Sequence, residues 1–309
     1  MKATIIGGAG RVGSNTAFAL QMDGTLAEIV LVDVLREQAQ GEALDLRHGA
    51  ALAAPQRIRA GGCEDAAGSD LVIVTAGLRR KPDESRLELV NRNVALFRGI
   101  LDDLRRVPLP ESAILIVVAN PVDVLTYLAA TEGPFAPGRV IGTGTLLDTA
   151  RLCSLVAEDL GVDATQVDAL VLGEHGDSMV PIWSSAAVNG VPLRSFPGFD
   201  AAKQQALLEA TRKSGAEVIR LKGGAGYSIA LATREVVRAL ALDRRSVLPV
   251  SSLQAGAMGI SGVALSLPTV LGARGIAPVL DIAVSDEERA GLLNSARVLR
   301  DTLDNLNKT

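Results

Sequence analysis

The sequence has few of the residues that build metal centres, disulfide frameworks or base-stacking surfaces. It contains two cysteines, two histidines and 3% aromatic residues among 309 positions. Cys63 and Cys153 are too few and too far apart for a disulfide framework, and two histidines leave little material for a zinc site. We therefore expect no bound metal and a reducing, cytoplasmic location.

Long hydrophobic runs and an excess of basic charge are also missing. One of the longest apolar runs covers residues 113–119, whereas a membrane span needs about 20 residues. No signal peptide is expected, because no charged start followed by an apolar stretch and a cleavage site is found. The formal net charge of −4 disfavours a general nucleic-acid surface, which is basic. We expect a small-molecule partner, with no nucleic acid and no membrane.

The first half of the chain alternates strand and helix patterns. Strands are predicted at 4–6, 28–32, 70–75 and 113–119, and helices at 12–22, 37–48 and 85–106. The run at 70–75 is apolar throughout, which is typical of a strand buried on both faces of a parallel sheet. The alternation therefore predicts an α/β protein with a Rossmann-type, doubly wound parallel sheet.

The pattern changes near residues 143–145, without a flexible linker. Helices are predicted at 148–160, 201–222 and 228–242, and short strands at 247–251 and 263–267. A last helix begins at Ser285, which forms a capping-box pattern with Glu288. We expect a first domain over residues 1–143 and an α+β second domain over residues 144–309.

A glycine-rich motif directly follows the first predicted strand. It consists of Gly8, Ala9, Gly10, Arg11, Val12 and Gly13. Glycines at this spacing permit a tight turn and let a pyrophosphate approach the helix N-terminus. Asp33 ends the second strand, where a carboxylate binds a ribose 2′-hydroxyl and repels a 2′-phosphate. The first domain is therefore predicted to bind NAD rather than NADP.

A second motif places His175 between Gly173 and Gly176, after a predicted strand. Histidine exchanges protons near neutral pH. Asp148 and Arg151 lie three residues apart on one helix face, where a carboxylate can orient an imidazole and a guanidinium can bind a substrate carboxylate. These residues predict proton transfer on an acidic substrate.

Several stretches extend this pattern along nearly the whole chain: GGAGRVG, LVDV, TAGLRRKPDESR, ANPVD, GTLLDTARL and GEHGDSMVPIW. Together they resemble the L-lactate/L-malate dehydrogenase family. The resemblance implies that His175 is the proton acceptor and donor, that Asp148 holds its ring, and that Arg151 binds the C1 carboxylate. Arg86 would polarise the C2 oxygen from a mobile lid at residues 78–89, and Asn120 would fix the substrate oxygen and the nicotinamide. The remaining cofactor-binding residues implied by the resemblance are Ala76, Gly77, Asn93 and Val118.

The choice of substrate depends mainly on Arg80. In the family, malate enzymes carry arginine at this lid position, since oxaloacetate has a second carboxylate, and lactate enzymes carry glutamine. Met179 and Ala225 agree with malate, whereas Glu174 and other stretches are of the lactate type. We predict a lactate-dehydrogenase-like malate dehydrogenase that oxidises L-malate to oxaloacetate. L-lactate dehydrogenase is the alternative, and a non-catalytic NAD-binding regulatory module is a third possibility.

The resemblance also has consequences for partners. It implies a homo-oligomer, with a tetramer favoured over a dimer. The small-molecule partner would be a dicarboxylate, and the enzyme would serve the tricarboxylic acid cycle.

Overall fold

The computed structural model describes residues 1–79 and 83–306. Among these residues are eight α-helices and fourteen β-strands. The strands are β1 Lys2–Ile6, β2 Glu28–Val32, β3 Arg57–Gly61, β4 Leu71–Val74, β5 Ile114–Val117, β6 Val140–Gly142, β7 Val167–Asp168, β8 Val171–Leu172, β9 Val180–Pro181, β10 Ala187–Val188, β11 Val191–Pro192, β12 Ser246–Ala255, β13 Ser261–Gly272 and β14 Gly275–Val279. The helices are α1 Arg11–Asp23, α2 Arg36–His48, α3 Arg86–Leu104, α4 Val122–Glu132, α5 Leu146–Leu160, α6 Ala201–Lys222, α7 Tyr227–Ala241 and α8 Asp286–Leu306.

Nine of the described strands form one sheet, in the order β14-β13-β12-β6-β5-β4-β1-β2-β3. The six strands from β6 to β3 run parallel. After β1 the chain builds the sheet outward through β2 and β3, and then returns to the other side of β1 with β4. This reversal opens a crevice at the carboxyl ends of β1 and β4, where α/β proteins of this type bind ligands.

Helices cover both faces of this sheet. An apolar cluster on one face joins the strands to α1, α2 and α7, and a cluster on the other face joins them to α3, α4 and α8. Every residue of β4 and β5 is buried, as expected for strands that receive helices on both sides. The doubly wound α/β fold predicted from the sequence is confirmed.

Three elements of the parallel half, and the length of two later strands, were not predicted. The missed elements are β3, α4 and β6. Strands β12 and β13 have 10 and 12 residues and pair antiparallel, with Pro249 opposite Pro268. The strand predicted at 263–267 stops just before Pro268, because proline interrupts a strand pattern; the strand predicted at 247–251 includes Pro249 and was too short at both ends. Because β12 pairs with β6, one sheet crosses the expected boundary at residues 143–144. The division into two domains stays a prediction.

The second half also carries two small sheets, with strand orders β11-β10-β7 and β8-β9. Asn189 and Gly190 connect β10 to β11 with φ values of 45° and 81°, as the Asn-Gly pair predicts for a hairpin. The capping box of α8 is present, because Ser285 and Glu288 bond each other's main-chain N–H groups. A third apolar cluster packs these sheets against α5 and α6.

The described part of the chain was also searched for membrane and metal features. No helix in residues 1–79 and 83–306 is long and apolar enough to span a membrane. Within the same ranges, no group of three or more His, Cys, Asp and Glu side chains is arranged to hold a metal ion. Cys63 and Cys153 are free thiols.

Candidate active site

The glycine motif forms a tight turn between β1 and α1. Gly10 is the N-cap of α1, and no side chain caps the first turn of the helix. A Cβ atom on Gly13 would lie 2.2 Å from the Gly7 carbonyl oxygen, and one on Gly8 would lie 2.8 Å from Cβ of Leu31. Side chains are therefore excluded at both positions, and the bare main chain lets an anionic ligand come close to the N-terminus of α1.

Asp33 lies beside this turn, at the end of β2. Its carboxylate accepts the N–H groups of Ala9 and Leu35, each at 3.0 Å. A cleft of about 840 Å³ adjoins it and is also lined by Gly10, Ala76 and Gly77. A bare glycine turn, a fixed carboxylate and a long cleft fit the pyrophosphate and adenosine ribose of a dinucleotide.

Three further residues of the expected cofactor site are not among those that line this cleft: Asn93, Val12 and Val118. Asn93 is buried; its Oδ1 accepts the N–H of Leu78 at 2.7 Å, and its amide donates to the Leu89 carbonyl at 3.1 Å. It therefore holds the chain just after Gly77. Val12 packs against the apolar cluster of α1 and α7, and Val118 lines a small pocket together with Asn120.

Arg11 connects the glycine turn to the end of α6. Its guanidinium donates to the carbonyl oxygens of Lys222 and Gly224, both at 2.8 Å. These bonds place Ala225 beside the first turn of α1. Ala225 is not among the described residues that line the two cavities next to His175, and its role at the substrate stays a prediction.

The charge of Asp33 gives a testable prediction about cofactor choice. Replacing Asp33→Asn keeps an oxygen that accepts main-chain N–H groups but removes the charge that would repel a 2′-phosphate. Because like-charge contacts cost several kcal/mol, we expect the NADPH/NADH ratio of kcat/KM to rise by about 100-fold. Arg36→Ala, on the exposed start of α2, is the matched control and should lower activity with NADPH or leave it unchanged. Equal use of both cofactors by the native chain would contradict this role for Asp33.

The candidate acid–base centre joins α5 to the segment after β8. Asp148 and Arg151 lie one helical turn apart on α5, and the Asp148 side chain is 1% exposed. Asp148 Oδ2 lies 2.5 Å from His175 Nδ1, while Oδ1 accepts from Arg151 Nη1 at 3.0 Å. One buried carboxylate therefore orients both the imidazole and the guanidinium.

The charges around His175 set its protonation. Burial is the largest single influence and lowers the pKa, but the charge and hydrogen bond of Asp148 and the charge of Asp123 outweigh it, against a smaller lowering effect of Arg151. The net result is a pKa of His175 above its ordinary value. A carboxylate can only accept, so Nδ1 carries its proton and Nε2 is left for a ligand.

Two cavities adjoin His175. The larger, of about 570 Å³, lies between α8, α6 and the segment after His175, and is lined by Met179 and Arg212. The smaller, of about 30 Å³, has apolar walls that include Leu147 and also contains Asn120. The structure therefore places His175 and Asn120 on the wall of one small pocket, and Asp148 bonds both His175 and Arg151.

Two of the predicted substrate-binding arginines, Arg80 and Arg86, come just before or at the start of α3. Arg80 lies outside the described residues. Arg86 is the first residue of α3, which begins with a capping box in which Ser85 and Glu88 bond each other's main-chain N–H groups.

One polar residue of this centre, Asp123, was not predicted from the sequence. Asp123, in the first turn of α4, accepts the main-chain N–H of His175 at 2.7 Å. The sequence feature that could have indicated Asp123 is its position three residues after Asn120, in the stretch ANPVD. A buried carboxylate so close to a predicted substrate residue needs a partner, but its partner lies 52 residues away in sequence.

Comparisons with known proteins agree with this arrangement. Residues 1–142 match the family model of the lactate/malate dehydrogenase NAD-binding domain, and residues 145–309 match that of the lactate/malate dehydrogenase α/β C-terminal domain. The chain is 43% identical to an L-lactate dehydrogenase of a Synechococcus species over 99% of both chains. It is 39% identical to L-lactate dehydrogenase 1 of Clostridium acetobutylicum over 99% of this chain and 98% of that one. A crystal structure of a minor L-lactate dehydrogenase from Enterococcus mundtii superposes with a TM-score of 0.94, at 34% identity, over 98% of each chain.

These comparisons overturn the malate prediction and, with it, the assignment to the tricarboxylic acid cycle. Full-length relatives in several bacteria are named L-lactate dehydrogenases. The prediction was wrong because it weighted the charge of Arg80 above the lactate-type stretches elsewhere. A cation in the sequence does not establish that its guanidinium faces a substrate, and the structure does not describe Arg80. What the matches do show is that the chain belongs to the lactate/malate dehydrogenase family and that its cofactor is NAD.

Proposed function

We propose that this protein is an L-lactate dehydrogenase, which interconverts pyruvate and L-lactate. The observation that carries the proposal is the Asp148 carboxylate, which bonds His175 and Arg151 at the same time. Such a pair can hold a 2-oxo acid by its carboxylate while a proton moves to its carbonyl oxygen. The full-length similarity to L-lactate dehydrogenases supports pyruvate as that acid.

His175 is the proposed acid and base. In pyruvate reduction its imidazolium gives the Nε2 proton to the carbonyl oxygen as C2 gains a hydride, and the C=O double bond becomes a C–OH single bond. In lactate oxidation neutral His175 takes the hydroxyl proton back. Asp148 stabilises the imidazolium and keeps the ring in one tautomer.

Arg151 is the proposed carboxylate ligand. Its side chain is 16% exposed and is fixed by Asp148, so a planar guanidinium fork is already oriented for two parallel bonds. Asn120 is proposed to hold the substrate oxygen. By resemblance, Arg86 is proposed to stabilise the charge that develops on that oxygen.

NAD, when bound, exchanges a hydride with C2 of the substrate. Gly8, Gly10 and Gly13 are proposed to leave room for its pyrophosphate, and Asp33 to bind the adenosine ribose. The small pocket beside His175 is lined in part by apolar side chains such as Val118 and Leu147, and apolar surroundings strengthen charge interactions.

Substrate preference is the direct test of the proposal. With NADH we expect kcat/KM for pyruvate to exceed that for oxaloacetate by about tenfold or more. A matched Arg80→Gln variant shows how much Arg80 contributes to the activity with each of the two acids, and it should keep the pyruvate activity of the native chain. If the native protein prefers oxaloacetate, the proposed function is wrong.

The exposed apolar residues support self-association. Helices α1 and α7 contact each other, and Phe18, Met22, Tyr227 and Leu231 on them are 49–70% exposed. Large exposed apolar patches mark interaction sites. We propose a homo-oligomer, with a tetramer favoured over a dimer. Light scattering on the purified protein measures the mass, and Phe18→Lys combined with Leu231→Lys should yield monomers; a monomeric native protein would contradict the proposal.

A further inference from the structure

Asp123 is a buried carboxyl group that the proposed mechanism does not use. It is 3% exposed and lies in the first turn of α4, three residues after Asn120. Its Oδ2 atom accepts the main-chain N–H of His175 at 2.7 Å. This bond joins the turn that carries Asn120 directly to the histidine, across 52 residues of sequence.

The main chain that leads to His175 is held by three different elements. Gly173 exchanges two main-chain hydrogen bonds with Ser266 of β13, both at 2.9 Å. The N–H of Glu174 donates to Ser295 Oγ of α8 at 2.7 Å. Asp123 of α4 supplies the third anchor. It is the one anchor of the three that carries a charge, and it is bonded to the histidine itself.

The second oxygen of Asp123 faces Ser251 of β12. Neither Asp123 Oδ1 nor Ser251 Oγ makes a hydrogen bond of good geometry within the described residues, yet the hydroxyl is close enough to lower the pKa of the carboxyl. If this position served packing alone, an apolar residue would be more stable than aspartate, because a buried polar atom without a full set of hydrogen-bond partners is unfavourable. A carboxyl group at this position therefore calls for an explanation other than packing.

We propose that Asp123 is a positioning residue for the acid–base step: it fixes the main chain of His175 against the Asn120 turn and places a second negative charge near the imidazole, behind that of Asp148. The inference rests on the proposed function for the identity of the step. The placement of His175 and its titration are properties of the folded chain alone.

The electrostatic part follows from the groups around both side chains. His175 is faced by Asp148, Arg151 and Asp123, and Asp123 is faced by His175 and Glu174. Burial raises the pKa of Asp123 to about 6, against the lowering effects of Ser251 and His175. Near pH 7 the carboxylate is therefore mostly ionised and contributes to the raised pKa of His175.

Two substitutions at Asp123 separate its charge from its hydrogen bond. Asp123→Asn keeps an oxygen that can accept the His175 N–H and removes the charge. Asp123→Ala removes both. Pyruvate reduction needs protonated His175 and is lost as pH rises through its pKa, so both variants should lose activity at lower pH than the native chain. In the acidic range, Asp123→Asn should keep kcat within about threefold, and Asp123→Ala should lose about tenfold to 100-fold, since misplaced catalytic groups cost rates of that order.

A second readout does not depend on the substrate. The chain has two histidines, so NMR of histidine-labelled protein gives two imidazole titrations, and His48→Gln assigns them. In both Asp123 variants, the imidazole of His175 should titrate at a lower pH than it does in the native chain. Ser251→Ala is the matched control for the positioning role, because it leaves the bond from His175 to Asp123 intact, and it should keep native kcat in the acidic range. Since the Ser251 hydroxyl lowers the pKa of Asp123, its removal should also lower the pH at which His175 titrates, by less than Asp123→Asn does.

The outcomes are distinguishable. An unchanged His175 titration in Asp123→Asn overturns the proposal, and it does so even if Asp123→Ala fails to fold. Equal kcat of the two variants in the acidic range overturns the positioning role. A lowered titration together with no pyruvate activity in the native chain supports the electrostatic role of Asp123 and refutes only the proposed function.

Discussion

Replacing His175 by asparagine is expected to lower kcat for pyruvate reduction by about 1,000-fold. Positioned acid–base groups contribute about 10²- to 10⁴-fold, and asparagine has no proton to give at neutral pH. Because Asp148 and Asp123 raise the pKa of His175 above its ordinary value, the protonated form is favoured over that of a free imidazole, which favours this direction. Stopped-flow measurement of NADH oxidation gives kcat, and fluorescence titration gives the dissociation constant of NADH.

The cofactor affinity is the internal control for this variant. The Asp33 cleft lies apart from His175, so NADH should bind His175→Asn as tightly as it binds the native chain. Asp148→Asn gives an intermediate test, because it removes the charge that raises the pKa of His175. As pH rises, this variant should lose its pyruvate activity at a lower pH than the native chain does. Near-native kcat in His175→Asn would show that another group transfers the proton.

Replacing Arg151 by lysine is the second change with a large expected effect. Truncating one partner of a buried hydrogen-bonded charge pair costs about 2–5 kcal/mol. We expect kcat/KM for pyruvate to fall by about 100-fold or more, mainly through KM. Lysine keeps the charge but loses the planar fork, and the Asp148 carboxylate loses its bond to the guanidinium at 3.0 Å. Steady-state kinetics with pyruvate up to saturation measure the effect.

Arg212 supplies a matched control for this prediction. It is a second arginine near His175 and lines the larger cavity, but its bonds to Met179 and Glu209 are long, at 3.4 Å. Arg212→Ala should change kcat/KM for pyruvate by less than about tenfold, as is usual outside the main contact residues. If Arg212→Ala costs more than Arg151→Lys, the carboxylate is bound by Arg212 and the assignment of Arg151 is wrong.

Much of the fold could be predicted from the sequence, because its signals are local. Buried parallel strands such as β4 and β5 are short apolar runs, and the glycine motif between β1 and α1 has a fixed spacing. The edge strand β3 was not predicted, because its two arginines interrupt the apolar run that marks the buried strands. The pairing of Pro249 with Pro268 could not be predicted, because antiparallel register depends on contacts between distant residues.

The candidate site divides in the same way. His175, Asp148 and Arg151 were each predicted from the sequence. In the structure, His175 and Arg151 both lie within hydrogen-bonding distance of Asp148. Asp123 was missed because its partner is a main-chain N–H, which has no signature in sequence. The malate prediction was wrong because a single charged residue, Arg80, was taken as evidence of a contact.

The sequence by itself determined the family, the parallel sheet, the glycine turn of the NAD-binding domain and the residue types of the candidate acid–base centre. Each depends on short-range spacing that a few residues encode. The tertiary structure alone decided that one sheet continues through both halves of the chain, that Asp148 serves the imidazole and the guanidinium together, and that α4 holds His175 through Asp123. These are long-range contacts. Their strength comes from burial, since a carboxylate removed from water must be bonded by whatever donors the fold brings to it.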